Sequence, residues 1–264
     1  GRMLAITRHG AATQNPPLLI AHGLFGSARN WGVIARRLAD TREVVAVDMR
    51  NHGDSPWTER HDYPGMAADL AEVIAAEGGR CDVLGHSMGG KAAMAVALER
   101  PAMIRRLVVG DIAPVAYDHS QRAALAAMRA VDPAIVSSRA EAAARLEQAL
   151  GDTPQAPALA AFLAQSLDVG AGRWRLNLDT LERDMPAILG FPDYETRFGG
   201  ESLFLAGAES DYVRPEHRAR IRELFPRSRF ARIPRAGHWL HADRPRAFEA
   251  AVRAFLDAPT TAAG

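Results

Sequence analysis

The chain lacks several things that would point to particular protein classes. It has one cysteine in 264 residues, Cys81, so no intramolecular disulfide can form. Cys81 opens an apolar run and reads as a small core residue rather than a reactive thiol. Lys91 is the single lysine, a usage that reads as codon bias rather than binding chemistry, and a net charge of +1 leaves no excess for a nucleic acid. No apolar run approaches the roughly 18 residues of a membrane helix, and the opening "GRMLAITRHG" has no long apolar core of the secretory kind. Neither a dinucleotide fingerprint nor a G-x-x-x-x-G-K-[ST] phosphate loop occurs, and there is no internal repeat or low-complexity tract. The expectation is a cytoplasmic protein with no membrane span and no nucleic-acid partner.

What is present is an ordinary globular balance, 48% hydrophobic and 24% charged, and a rhythm of apolar strands and helical patterns. "PLLIAHG" reads as a buried strand ending at a glycine. "SARNWGVIARRLAD" then places Trp31, Ile34, Ala35 and Leu38 on one helical face. "EVVAVDMR", "CDVLG" and "RRLVVGD" are further strands, separated by helices over Tyr63–Glu77 and Met88–Glu99. Such alternation predicts an α/β fold with a mostly parallel sheet covered on both faces. From Ile112 to Arg197 the rhythm breaks into helical segments, Gln121–Val131, Ser138–Leu150, Ala158–Leu167 and Leu178–Leu189, with no convincing strand. It resumes with "SLFLAGA", a helix over Pro215–Leu224, "RFARI" and a closing helix bearing Phe248, Ala251, Val252 and Phe255. The expected organisation is a core of residues 1–111 and 198–264, with a helical cap of residues 112–197 inserted over one edge.

The densest chemistry is "CDVLGHSMGGK", where three glycines surround Ser87 between a strand and a helix. This is the pattern G-x-S-x-G, a sharp turn that presents a serine hydroxyl beside backbone N–H groups and a helix N-terminus. Side chains at Gly85 or Gly89 would collide with neighbouring elements. A serine hydroxyl needs a base. Among nine histidines, His238 in "IPRAGHWLHADRP" follows the last strand at the same sheet edge. His22 and His52 read as loop braces, His86 and His241 as structural, and His9, His61, His119 and His217 as surface or loop residues. A carboxylate must orient the imidazole. Asp111 follows "LVVG" directly, Asp211 follows the next strand in "LAGAESDYV", where generic enzymes of this architecture take it, and Asp179 lies in the cap; chain order fits all three. Negative charge developing on a substrate oxygen needs N–H donors, expected from Met88 and from Leu24, with Phe25 the neighbouring alternative.

At this point the chain resembles a known family. "HGLFGSARNW", "VDMRNHGDSP", "GHSMGGKAAM", "DIAPV", "WRLNLD" and "AGHWLHADRP" look like the α/β-hydrolase superfamily, and more narrowly like small bacterial carboxylesterases related to the mitochondrial abhydrolase domain-containing protein eleven. The likeness runs from about residue 20 to residue 255. It implies an α/β-hydrolase fold: an eight-stranded sheet flanked by helices, with a helical cap inserted after strand six. It also implies hydrolysis of acyl esters with no cofactor and no metal. Carried over residue by residue, it makes Ser87 the nucleophile, His238 the base and Asp111 the acid. Ser210 matches a serine the family often carries after strand seven. Asp211 immediately after it departs from the bacterial pattern and keeps the acid assignment open between Asp111 and Asp211.

The expected activity is therefore that of a serine carboxylesterase acting on short- to medium-chain acyl esters, as a monomer or dimer, with a small-molecule ester as its partner. Phe25, Trp174, Trp239 and Ser210 are the expected substrate-binding residues. Thioesterases, carbon–carbon bond hydrolases and perhydrolases share the same residue set, and a ligand-binding receptor on a disabled hydrolase is the rival from another class.

Overall fold

The computed structural model describes residues 2–260. In chain order the elements are β1 (Ile6–His9), β2 (Leu18–Ala21), α1 (Gly32–Leu38), β3 (Val44–Val47), α2 (Tyr63–Ala76), β4 (Cys81–His86), α3 (Met88–Glu99) and β5 (Ile104–Gly110). There follow α4 (Arg122–Ala130), α5 (Arg139–Leu150), α6 (Ala156–Ala164), β6 (Leu167–Asp168), β7 (Arg173–Trp174), α7 (Leu178–Arg183) and α8 (Met185–Leu189). The chain closes with β8 (Glu201–Gly207), α9 (Arg218–Leu224), β9 (Ser228–Ile233), α10 (Leu240–Asp243) and α11 (Pro245–Asp257).

Seven strands form one sheet in the order β1-β3-β2-β4-β5-β8-β9, parallel throughout except where β1 runs antiparallel to β3. Among the described residues this is one strand fewer than the eight expected, and the helical insertion follows the fifth strand rather than the sixth. The segment 10–17 between β1 and β2 forms no strand; it contains Pro16 and Pro17, which have no N–H to give a sheet ladder. β1 itself escapes the sequence pattern because "ITRH" is a short, largely exposed edge strand without apolar alternation.

Alternation within each central strand feeds two cores. Leu19 and Ala21 of β2 face one way, with Val45, Val83, Val109, α2 and α3. Leu18 and Ile20 face the other, with Val44, Leu84, Val108, Trp31 and the α11 residues Phe248 and Val252. Burying one such large side chain stabilises by roughly 1.5–3 kcal/mol. The consequence for function is a fixed carboxyl edge. Register pairs Ala21 with Gly85, His86 with Gly110, and Gly110 with Leu205, so the ends of β2, β4, β5 and β8 lie side by side.

The segment between β5 and β8 is helical as expected, with two differences. Leu167 does not end a helix but pairs with Trp174 in a two-stranded hairpin, whose turn uses Gly172 at φ +66 and the Asp168 carboxylate accepting from Ala171 N–H. The run Leu178–Leu189 is two helices, not one, because Pro186 sits in the first turn of α8, where its missing N–H costs nothing. This segment reaches the core through Tyr63 Oη, which donates to the Ile188 carbonyl, and Ser166 Oγ, which donates to the Phe25 carbonyl.

Candidate active site

Ser87 caps α3 at φ 54 and ψ −119, a left-handed backbone that is strained for any residue with a Cβ. Its neighbours explain why the turn holds. A Cβ on Gly85 would stand 2.3 Å from the Gly89 carbonyl oxygen, and one on Gly89 would stand 2.2 Å from the Ala21 oxygen. The glycines are there for close approach of β4, α3 and β2, while the unusual dihedral falls on the serine itself. Ser87 N–H donates to the Gly110 carbonyl at 3.0 Å, which ties the turn to the end of β5.

His238 Nε2 lies 3.0 Å from Ser87 Oγ, and its Nδ1 lies 2.7 Å from Asp111 Oδ2. The Asp111 side chain is fully buried. Its Oδ1 accepts from Gly207 N–H at 2.9 Å, and its Oδ2 accepts from Ser210 Oγ at 2.5 Å. An acceptor-only neighbour at Nδ1 fixes the proton there and leaves Nε2 to accept from the serine. The imidazole is stacked on Tyr212, ring centroids 3.9 Å apart, and its backbone carbonyl accepts from His86 Nε2 at 2.7 Å.

Asp211 is placed differently. Its side chain is 68% exposed and meets His119 Nε2 at 3.1 Å and Arg214 at 3.6 Å. The His119 hydrogen bond holds its carboxyl below the usual range. Asp179 pairs with Arg129 at the surface of α7. The structure therefore brings Ser87, His238, Asp111 and Ser210 together and leaves both other aspartates outside.

The loop after β2 lies against Ser87: a Cβ on Gly23 would be 3.2 Å from the Ser87 Cβ. Phe25 N–H is occupied, donating to His52 Nε2 at 3.0 Å. Among the described residues the Leu24 and Met88 amides meet no protein acceptor. His22 Nε2 accepts from Met49 N–H at 2.9 Å, so His22 and His52 brace this loop as read from sequence. His61 does not lie at the surface. It is buried between Asn51 and Met88 Sδ, and burial pushes its pKa down to about 2.

A small cavity of about 40 Å³ adjoins Ser87, walled by Leu24, Tyr63, Met88, Lys91, Ile112 and Tyr117, among others. Through Tyr117, Gln121 and Leu189 it borders a wider groove of about 860 Å³ between α4 and α8. Of the residues expected to bind substrate, none lines the cavity. Phe25 is buried, with its main chain tied to His52 and Ser166. Trp174 packs in the β6–β7 hairpin, and Trp239 faces Phe162 with ring centroids 5.5 Å apart. Ser210 is engaged by Asp111. Sequence reasoning missed Lys91 and the tyrosines; the only signal for Lys91 was its being the sole lysine, in the turn motif itself. Among the described residues no cluster of three or more His, Cys, Asp or Glu side chains could hold a metal ion, and no helix is long and apolar enough to cross a membrane.

The Alpha/beta hydrolase family matches residues 18–251. The chain belongs to this family. It is 40% identical to the sn-1-specific diacylglycerol lipase ABHD11 of Mus musculus, over 91% of this chain and 81% of that one. It is 38% identical to Esterase YbfF of Escherichia coli strain K12, over 92% and 94% of the two chains. Among solved structures, a marine microorganism esterase superposes with a TM-score of 0.88 at 35% identity, covering 96% of this chain and 99% of that one. Within the α/β-hydrolase family this chain is an ester hydrolase of the esterase/lipase type.

Proposed function

We propose that the protein is a serine carboxylesterase working by two-step acyl transfer at Ser87. One observation carries the reading: the continuous chain from Ser87 Oγ through His238 to Asp111, at 3.0 and 2.7 Å. His238 Nε2 takes the serine proton as Ser87 Oγ attacks the ester carbonyl. The Asp111 carboxylate balances the imidazolium that forms. The Leu24 and Met88 amides stabilise the oxyanion, a role for which Phe25 N–H is already spent. His238 then protonates the departing alcohol. Water, activated by the same imidazole, releases the acid and restores the serine.

Residues 112–197 act in this reading as a cap over the sheet edge, and the two connected cavities beneath it receive a short- to medium-chain acyl group. The enzyme is cytoplasmic and cofactor-independent, a monomer or a dimer.

Ser87→Ala and His238→Ala are each expected to lower turnover of an aryl acetate by on the order of 10⁴-fold or more, and Ser87→Ala to abolish labelling by a fluorophosphonate. Retained esterase activity in either variant would overturn the mechanism. Absence of fluorophosphonate labelling in the unaltered protein would favour a ligand-binding receptor.

A further inference from the structure

Lys91 is 2% exposed, yet the mechanism above gives it nothing to do. It stands one turn along α3 from Ser87, whose carbonyl accepts its N–H at 3.0 Å, and it lines the same small cavity. Its ammonium donates to the carbonyls of Leu189 at 3.1 Å and Gly190 at 2.7 Å, at the C-terminal end of α8. The rings of Tyr63 and Tyr117 lie 5.6 and 4.8 Å from Nζ. An ammonium has three donors, and protein carbonyls take two.

These contacts are dipoles and π-faces, and among the described residues no acidic side chain accompanies them. A buried charge without a counter-ion is costly, and such a cost persists where a ligand supplies the missing charge. The cavity beside it is small, about 40 Å³, and along Tyr117, Gln121 and Leu189 it borders the wider groove of about 860 Å³. Four residues of helix rise about 6 Å, which keeps a group paired with Lys91 within a short acyl chain of Ser87.

We infer that Lys91 is a specificity-determining residue of the Ser87 site, pairing with a carboxylate at the far end of a short acyl group, so that half-esters of short dicarboxylic acids are the preferred substrate class. This rests on Ser87 being the group that accepts the acyl chain. Burial pushes the Lys91 ammonium down to about 7, so the preference is strongest below neutrality. The titratable groups against it are Tyr63 from α2 and Tyr117 from the segment after β5. Burial pushes both phenols up, so they stay neutral across this range. Tyr212, at the same cavity, is likewise raised, to about 12.

The test is a matched pair of ethyl esters followed by pH-stat: monoethyl succinate, and ethyl levulinate, which replaces the carboxylate by a neutral acetyl group. At pH 6 the half-ester is expected to have a kcat/KM at least tenfold above the levulinate. That ratio should fall toward unity by pH 8.5, and any pH effect common to both esters cancels in it. Lys91→Met should collapse the ratio at pH 6, and Lys91→Arg should keep most of it. A residue that merely straps α8 to α3 would lower both rates together and leave the ratio unchanged, which would overturn the inference. So would a wild-type enzyme that hydrolyses the levulinate as well as the half-ester, a result that decides the matter even if Lys91→Met does not fold. Failure of the unaltered enzyme on both of these and on aryl esters would instead strike the esterase reading itself.

Discussion

Ser210 donates its hydroxyl to Oδ2 of Asp111 at 2.5 Å, and this is the same carboxylate oxygen that faces His238 Nδ1. Together with Gly207 N–H on Oδ1, the carboxylate is held by three donors and has little freedom to rotate away from the imidazole. Charge-assisted bonds of this kind contribute about 1.5–3 kcal/mol. Ser210→Ala is therefore expected to lower kcat about tenfold, which is about 1.4 kcal/mol in the barrier, with little change in KM. Steady-state kinetics on one aryl ester read both quantities. A variant with wild-type kcat would show that Gly207 alone holds the carboxylate.

The two aspartates left open by the sequence make a second test. Asp111 is buried against His238, whereas Asp211 is exposed beside His119 and Arg214. Asp111→Asn is expected to cost on the order of 10³–10⁴ in kcat, because an amide at that position favours the wrong imidazole tautomer. Asp211→Asn should change kcat less than about threefold, since exposed pairs contribute at most about 1 kcal/mol. The reverse pattern, or two mild effects, would refute Asp111 as the acid.

The fold was legible where local chemistry and tertiary demand agree. Buried parallel strands read as apolar runs, and the five inner strands β2, β3, β4, β5 and β8 announced themselves that way, as did the Ser87 turn with its glycines. β1 was not legible, because an exposed edge strand needs no apolar pattern. The β6–β7 hairpin is two residues per strand, too short for any periodicity to register. The lining of the small cavity was only partly legible, for a related reason. Aromatic residues near motif loops were expected to face substrate, but Phe25 is buried with its carbonyl held by Ser166, 141 residues away, and Trp174 is buried in the β6–β7 hairpin opposite Leu167. Lys91 escaped because a lone lysine on a buried helix has no sequence pattern; only the carbonyls of Leu189 and Gly190 give it meaning.

Close backbone approach at the Ser87 turn makes a third prediction. A methyl group on Gly89 would press on the Ala21 and His22 carbonyl oxygens, 2.2 and 2.4 Å away, and neither is the end of a flexible side chain. Gly89→Ala should destabilise by about 1–3 kcal/mol or more. It should also lower kcat, because the strand it displaces leads directly into the Leu24 loop. Gly199→Ala is the control: nothing lies within 4 Å of its added Cβ. Thermal melts and kcat for the pair check both halves, and a Gly89→Ala enzyme that melts and turns over like Gly199→Ala would remove the packing account of the turn.

The fourth prediction concerns acid. Burial pushes His22 down to about 4, His52 and His86 to about 3, and His61 to about 2, and holds His241 well below its ordinary value. Hydrogen bonding requires the neutral ring in two of them, since His22 Nε2 and His52 Nε2 accept from the N–H groups of Met49 and Phe25. In the unfolded chain each titrates near 6.5. Between that value and the depressed native one the unfolded state binds more protons, so stability is full above about pH 6.5 and drains as pH falls. Each such histidine removes about 1.4 kcal/mol per pH unit, and several acting together can exhaust a marginal stability of about 5–15 kcal/mol. Urea unfolding at half-unit steps from pH 7 to pH 4.5 should show a slope corresponding to the uptake of several protons. His52→Gln should reduce that slope by about one proton, whatever it does to stability at neutrality. A midpoint independent of pH down to 4.5 would mean that these rings are already charged in the native state, and the hydrogen bonds bracing the Leu24 loop would then have to be redrawn.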